Sequence, residues 1–124
     1  MSVLVCVTGQ KSCERLIVTG AKLAEQDKVP LTVMHVVRTG GNVLGFVNEP
    51  EALEYLLRIS IEHGADMVIK RADDVANAIE AEARRQNAGV IVAGRAFNYS
   101  GWDLLDELKG RLPDVRFEIL GAAG

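Results

Sequence analysis

Five consecutive residues, Thr8-Gly9-Gln10-Lys11-Ser12, combine two hydroxyls, an amide, an ammonium and a glycine. They follow the apolar run Val3-Leu4-Val5-Cys6-Val7 and precede a stretch with helical spacing. They therefore join a strand to a helix N-terminus, where free backbone N–H groups and the helix dipole attract phosphate. A tight turn at Gly9 and a cap at Ser12 would account for the same residues without a ligand. Neither a Walker loop nor G-x-G-x-x-G is present, so the segment is a candidate phosphate contact and nothing more specific. Arg95, beside Gly94 at the end of another apolar run, offers a planar guanidinium fork suited to phosphate. A solvated arginine after a strand is the plainer account of that residue.

Candidates for nucleophile, base or metal ligand are fewer. Cys13 would sit in the first turn of a helix, where the dipole lowers a thiol pKa. No second cysteine or base lies near it in sequence, and a small helix residue is the favoured reading. Cys6, inside an apolar run, reads as packing. His35 and His63 stand too far apart to suggest a metal motif. His63 suits a helix C-terminus just before Gly64, whereas His35 falls at or next to the end of a strand and is a candidate ligand contact. Asp73 and Asp74 resemble paired carboxylates, yet capping a helix explains them. No Ser/His/Asp or Cys/His constellation can be assembled, so the chain is expected to be no enzyme.

The elements that must position these residues alternate regularly. Val3–Val7 and Val90–Ala93 are continuously apolar, as strands buried on both faces should be. Leu31–Val37 forms a further strand after Pro30, and Met67–Ile69 another. Between them, residues 13–27 place Leu16, Ile17, Ala21, Leu23 and Ala24 on one side of a helix, with Ser12 as N-cap and Glu14 in the first turn. Asn48-Glu49-Pro50-Glu51 opens a second helix whose apolar stripe is Leu53, Leu56, Leu57 and Ile61, with Gly64 as its stop. Asp73-Asp74 caps a third that buries Val75, Ala76, Ile79 and Ala83; Ser100 to Asp103 opens a short fourth that carries Leu104, Leu105 and Leu108. Residues 40–48 are glycine-rich and read as a loop. Val115, Phe117 and Ile119 alternate with Arg116 and Glu118, so residues 115–119 form an edge strand.

This order predicts an α/β fold, a single domain over residues 1–124. It is an open five-stranded parallel sheet flanked by helices on both faces, a Rossmann-like three-layer sandwich. Ligands of such sheets bind beyond the carboxyl ends of the strands, where strand order reverses. That rim would gather Thr8 to Ser12, His35 to Arg38, Lys70-Arg71 and Gly94-Arg95. A response-regulator receiver would need acidic residues after the first strand and an aspartate after the third; Val7-Thr8-Gly9 and Lys70-Arg71 stand there instead. A flavodoxin would need a hydroxyl-rich first loop and aromatic residues for the flavin, but aromatics make up only 5% of the chain.

The bulk figures exclude several classes. The 124 residues are 48% hydrophobic and 25% charged, enough to bury a core without disulfides or metal. Fourteen Lys+Arg against 17 Asp+Glu give a net charge of −3, unlike a nucleic-acid binder with a basic face. No apolar run reaches the roughly 18 residues of a membrane span, and the first residues lack the basic segment of a signal peptide. A cytoplasmic protein with no membrane insertion and no nucleic-acid partner is expected.

Val3 to Ile17 followed by Leu31-Thr32-Val33-Met34-His35-Val36, then Glu62-His63-Gly64-Ala65-Asp66 and Gly89 to Arg95, resembles the universal stress protein family over nearly the whole chain. The resemblance is closest to the version of that domain in osmosensing histidine kinases that control potassium uptake. It implies a five-stranded α/β sandwich, often dimeric through its last strand. Nucleotide-binding members carry a G-x2-G-x9-G-S/T pattern after the fourth strand. Gly94 matches its first glycine, while Phe97, Glu107 and Leu108 occupy the other three positions, so the ATP phosphate cradle is expected to be missing. Some sensor-kinase domains resemble cyclic di-AMP receptors with a Ser-x-Ser pair, twenty intervening residues and a Phe-Thr-Ala-x-Tyr segment. Here Thr8 and Gln10, then residues 11–30, then Leu31-Thr32-Val33-Met34-His35 keep that spacing, with Thr32 unchanged and His35 in the tyrosine position.

The expectation is thus a non-enzymatic regulatory module of universal-stress type, homodimeric through residues 115–119. Its ligand would be an adenine nucleotide (ATP or AMP) or cyclic di-AMP, with a signalling protein as a further candidate partner. Thr8, Gly9, Gln10, Ser12, Thr32, His35, Gly94 and Arg95 are the candidate binding residues; no cofactor or metal is required. A nucleotide hydrolase or adenylyl-transfer enzyme of the same superfamily, and a ligand-free dimerising scaffold, are the alternatives.

Overall fold

The computed structural model describes residues 1–7, 10–38, 49–94 and 104–121, with residues 10–12 described by backbone. Its elements run β1 (Ser2–Val7), α1 (Gln10–Asp27), β2 (Leu31–Val37), α2 (Glu49–Glu62), β3 (Asp66–Arg71), α3 (Val75–Arg85), β4 (Ala88–Gly94), α4 (Leu104–Arg111) and β5 (Arg116–Leu120). The five strands form one sheet in the order β3-β2-β1-β4-β5, and every neighbouring pair is parallel. β1 and β2 are buried along their whole length, which is why their sequences run apolar without alternation. β5 is an edge, as its alternation predicts, and β3 is the other.

Period-2 alternation divides the core between the two faces of the sheet. Val3, Val5, Val7, Val33, Val90 and Val92 meet Leu16 and Ile17 of α1 and Leu56 and Ile59 of α2. Leu4, Cys6, Met34, Val36, Ile91 and Ala93 meet Ile79 of α3 and Leu104 and Leu108 of α4. The result is three layers. Truncating one of the fully buried leucines to alanine costs about 2–5 kcal/mol in such a core.

Two local readings are corrected. Helix α1 begins at Gln10, so Ser12 is its third residue rather than its N-cap, and its first turn, Gln10 to Cys13, contains no acidic residue. The link from Val7 takes only two residues, which starts the helix earlier than the apolar spacing suggested. In α2 the buried residues are Ala52, Leu56, Ile59 and Ser60, whereas Leu53, Leu57 and Ile61 are 37%, 45% and 65% exposed. Residues 53, 57 and 61 follow 52, 56 and 60 by one residue each, or 100°, so they form a ridge beside the face that 52, 56, 59 and 60 bury.

The amino end of the sheet is closed by short, fully bonded turns. After α2, Gly64 adopts φ +71°. The N–H groups of Gly64 and Ala65 donate to the carbonyls of Ile61 and Ser60 at 3.1 and 2.8 Å, a Schellman stop. His63 sits at that helix end, as expected. Ser2 Oγ donates to Gln86 Oε1 at 2.7 Å, and Gln86 Nε2 donates to Glu82 Oε2 at 2.7 Å. Glu82 is 5% exposed and also accepts from Arg85. Burial pushes its carboxyl up, but the bonds from Arg85 and Gln86 more than reverse this and hold it below the usual glutamate range.

Packing also explains a glycine that helix propensity disfavours. A β-carbon at Gly20 would stand 2.3 Å from Val5 Cγ2 and 3.2 Å from Leu31 Cδ1. Glycine inside a helix costs about 0.5–1 kcal/mol against alanine; here it lets α1 lie directly on β1 and β2.

Candidate functional site

The strand order reverses between β1 and β4. The chain lays β2 and β3 to one side of β1, then returns to place β4 on the other. A crevice at the carboxyl ends of those two strands is the position where open parallel sheets bind ligands. Val7 ends β1 and Gly94 ends β4, and Thr8-Gly9 and Arg95 follow them in the sequence. Thr8, Gly9 and Arg95 lie outside the described residues, as do residues 40–48 and Asn48, Ser100 and Asp103 of the expected helix starts.

Gln10 and Ser12 are placed by backbone in the first turn of α1, whose amino end points at the crevice. The macrodipole of an 18-residue helix leaves about half a positive charge there. The other helices meet that charge themselves. α2 carries Glu49 and Glu51 in its first turn, α4 carries Asp106 and Glu107, and Asp74 caps α3 by accepting from Asn77 N–H at 3.0 Å. Helix α1 has no such acid, and Lys11 adds a cation. Basic residues follow at each neighbouring strand end as well: Arg38 just after β2, Lys70 and Arg71 ending β3, Arg95 just after β4. Arg71 pairs with Glu49; Arg38 and Lys70 are exposed.

His35 and Thr32 separate. His35 lies opposite Val7 in the sheet register, is 4% exposed, and its ring Nδ1 is 2.8 Å from the Val7 carbonyl. A carbonyl oxygen has no proton to give, so Nδ1–H is the donor. Burial lowers the ring pKa below 6.5, with the bond to Val7 opposing, so the ring is neutral. Its visible work is to fix the end of β1 from which Thr8-Gly9 departs. Thr32 lies opposite Leu4 and Asp66, at the amino half of β2, and is 7% exposed. Three residues from His35, it belongs to the opposite face of the sheet. The structure therefore brings Gln10, Ser12, His35 and Gly94 to the carboxyl end and leaves Thr32 on the far side and deeper.

At Gly94 a β-carbon would meet Leu16 Cδ1 at 3.9 Å and the Leu120 carbonyl at 4.0 Å. Those are ordinary contacts, so packing among the described residues does not require glycine there. Glu107 and Leu108, in the last two positions of the phosphate pattern, lie within α4. Leu108 is fully buried and Glu107 pairs with Arg111 at 3.3 Å.

Both cysteines are buried. Burial pushes the Cys6 thiol up to about 12; at Cys13 burial, joined by Glu14, pushes it up to about 11. Desolvation thus overrides the helix dipole, and both thiols pack rather than react. Among the described residues, no cluster of three or more His, Cys, Asp or Glu side chains could hold a metal ion, and no helix is long and apolar enough to cross a membrane.

By sequence, no family model and no curated protein matches the chain. Solved structures do. A universal stress protein of Archaeoglobus fulgidus in complex with dAMP is 19% identical, with a TM-score of 0.63 over 98% of this chain and 96% of its own. A universal stress protein in complex with cAMP is 17% identical, with a TM-score of 0.66 over 98% and 95%. A member of the universal stress protein family from Burkholderia pseudomallei is 15% identical, with a TM-score of 0.61 over 96% and 95%. The chain has the α/β fold of the universal stress proteins.

Proposed function

We propose that this chain is a non-enzymatic regulatory module that binds an adenine mononucleotide in the crevice between the carboxyl ends of β1 and β4. One observation carries the reading: the amino end of α1, alone among the described helices in having no acid in its first turn or at its cap, opens onto the point where strand order reverses. Lys11, Arg38, Lys70 and Arg95 supply further positive charge around it, although the chain as a whole is acidic. Two structures of the same fold are complexes with dAMP and cAMP, which directs the choice of ligand. Thr8, Gly9, Gln10 and Ser12 would take the phosphate, with Arg95 as a second contact and Gly94 allowing close approach.

A triphosphate is disfavoured by Glu107 and Leu108, which serve α4 and its packing where the resemblance would place a phosphate cradle. Cyclic di-AMP is retained as a competitor, in keeping with the likeness to osmosensing kinase domains. Thr32 and His35, both invoked for it, occupy opposite faces of β2, so one ligand would not touch both. Homodimerisation through the edge strand β5, a signalling partner and a cytoplasmic location belong to the same proposal.

The test is a melting curve with AMP, ATP and cyclic di-AMP, run with an assay of nucleotide turnover. AMP at 100 times its dissociation constant should add about 2.7 kcal/mol and remain intact. Turnover would move the chain to the enzyme class, and no shift with any nucleotide would leave a ligand-free scaffold.

A further inference from the structure

We infer that the outer edge of β3, with the apolar ridge of α2 above it, is a self-association surface that takes a second copy of this chain in antiparallel, two-fold register. Among the described residues nothing pairs with that edge, since β3 ends the sheet. The backbone fixes which of its groups are available. Ala72 N–H donates to the Val37 carbonyl, so by alternation Asp66, Val68 and Lys70 turn their backbone groups to β2. Met67, Ile69 and Arg71 turn theirs outward.

An antiparallel partner must match outward residues with outward residues. The register centred on Val68 does so, setting Met67 against Ile69 of the second copy and Ile69 against its Met67. In that same register Asp66 lies opposite Lys70 of the second copy, and Lys70 opposite its Asp66, on one face of the joined sheet. Shifting the register by two residues either way loses both charge pairs. Charges on a free edge commonly block pairing; here their order along Asp66-Met67-Val68-Ile69-Lys70-Arg71 makes them mutual partners.

The helix layer agrees. Tyr55 packs against the same core face as α1, and Leu57, two residues on, points some 200° away. Leu53, Leu57 and Ile61 therefore flank the β3 side of α2. Among the described residues they are also, with Met1, the large apolar residues left exposed. The midpoint of the ridge, Leu57, stands about 7 Å from the turn at its foot by helical rise, and Val68 stands about 7 Å from it by strand rise. Ridge and strand therefore share one two-fold axis. A second copy placed on that axis by edge pairing carries its own α2 ridge on the same face of the joined sheet.

This surface shares only Lys70 with the positive rim of the nucleotide site and nothing with β5, and sedimentation in the absence of nucleotide keeps them apart. Glu118→Arg sets like charges against Arg116 in a β5–β5 pairing, so association that survives in this background belongs elsewhere. Sedimentation of that variant over a concentration series should still show a reversible dimer. Adding Asp66→Lys should weaken it about tenfold or more, and adding Lys70→Asp to Asp66→Lys should restore it, with unchanged circular dichroism throughout because both residues are exposed. A folded Glu118→Arg protein that stays monomeric, a dimer indifferent to Asp66→Lys, or a charge swap that fails to restore association would each overturn the inference.

Discussion

The two ends of the sheet are built differently. At the amino end, residues 28–30, 63–65, 86–87 and 112–115 carry helices back to strands. Their polar groups are consumed internally by the Schellman stop at Gly64, the Ser2–Gln86–Glu82 relay and the left-handed residues Lys28 and Asn87. At the carboxyl end, links 8–9, 38–48, 72–74 and 95–103 carry strands out to helices, and the first turn of α1 carries no acid. The comparison teaches a division of labour. Polar groups of the amino-end turns are bonded within the chain, and binding is favoured where a helix terminus and neighbouring strand ends gather positive charge, as loop-borne sites on rigid scaffolds generally show. Substitutions can break or sharpen that contrast.

The largest effect should come from the buried contact of α1 with the amino half of the sheet. Gly20→Ala forces a methyl to 2.3 Å from Val5 Cγ2; overpacking of this kind costs about 1–3 kcal/mol, against a gain of roughly 1 kcal/mol in helix propensity. Chemical denaturation should show a net loss, with affinity for AMP unchanged in the remaining folded protein. A stabilised Gly20→Ala variant would mean that α1 does not rest on β1 as described.

Next in size is the pH dependence set by His35. Its folded pKa is lowered by burial while the unfolded ring titrates near 6.5. Below that value the unfolded chain takes up the proton more readily than the folded chain, so stability present above pH 6.5 falls as the pH drops. The slope is at most about 1.4 kcal/mol per pH unit. His35→Gln keeps a donor for the Val7 carbonyl and should remove this part of the slope. Equal slopes in both proteins between about pH 5 and 6.5 would show that His35 is protonated in the fold.

The smallest effect on stability belongs to the other end. Gly94→Ala meets only ordinary contacts, so denaturation should move by about 0.5 kcal/mol or less, while the AMP-induced melting shift should shrink. Loss of stability without loss of binding would reverse the assignment of this glycine.

Much of this was legible in the residues. The unbroken apolar runs of β1 and β4 mark interior strands, and the alternation of Arg116 and Glu118 with Phe117 and Ile119 marks an edge. The second edge was hidden because Met67-Val68-Ile69 is as apolar as an interior strand. Asp66, Lys70 and Arg71 belong to the strand, and a free edge tolerates them. The face of α2 was misjudged because Leu53, Leu57 and Ile61 share hydrophobicity with Leu56 but not its angle. Glu82 gave no sign of burial, since its partners Ser2 and Gln86 are remote or adjacent residues whose meeting depends on β1 lying beside β4. The separation of Thr32 from His35, by contrast, follows from period-2 alternation and could have been taken from the spacing alone.

The contrast between the two ends is tested most directly by titrating AMP into isotopically labelled protein and following backbone amides. Binding at the carboxyl end predicts saturable shifts at Gln10 to Cys13 and at Gly94, with Lys28, His63, Gly64 and Asn87 unmoved. Saturable shifts confined to the amino-end turns, or none anywhere at millimolar AMP, would contradict it.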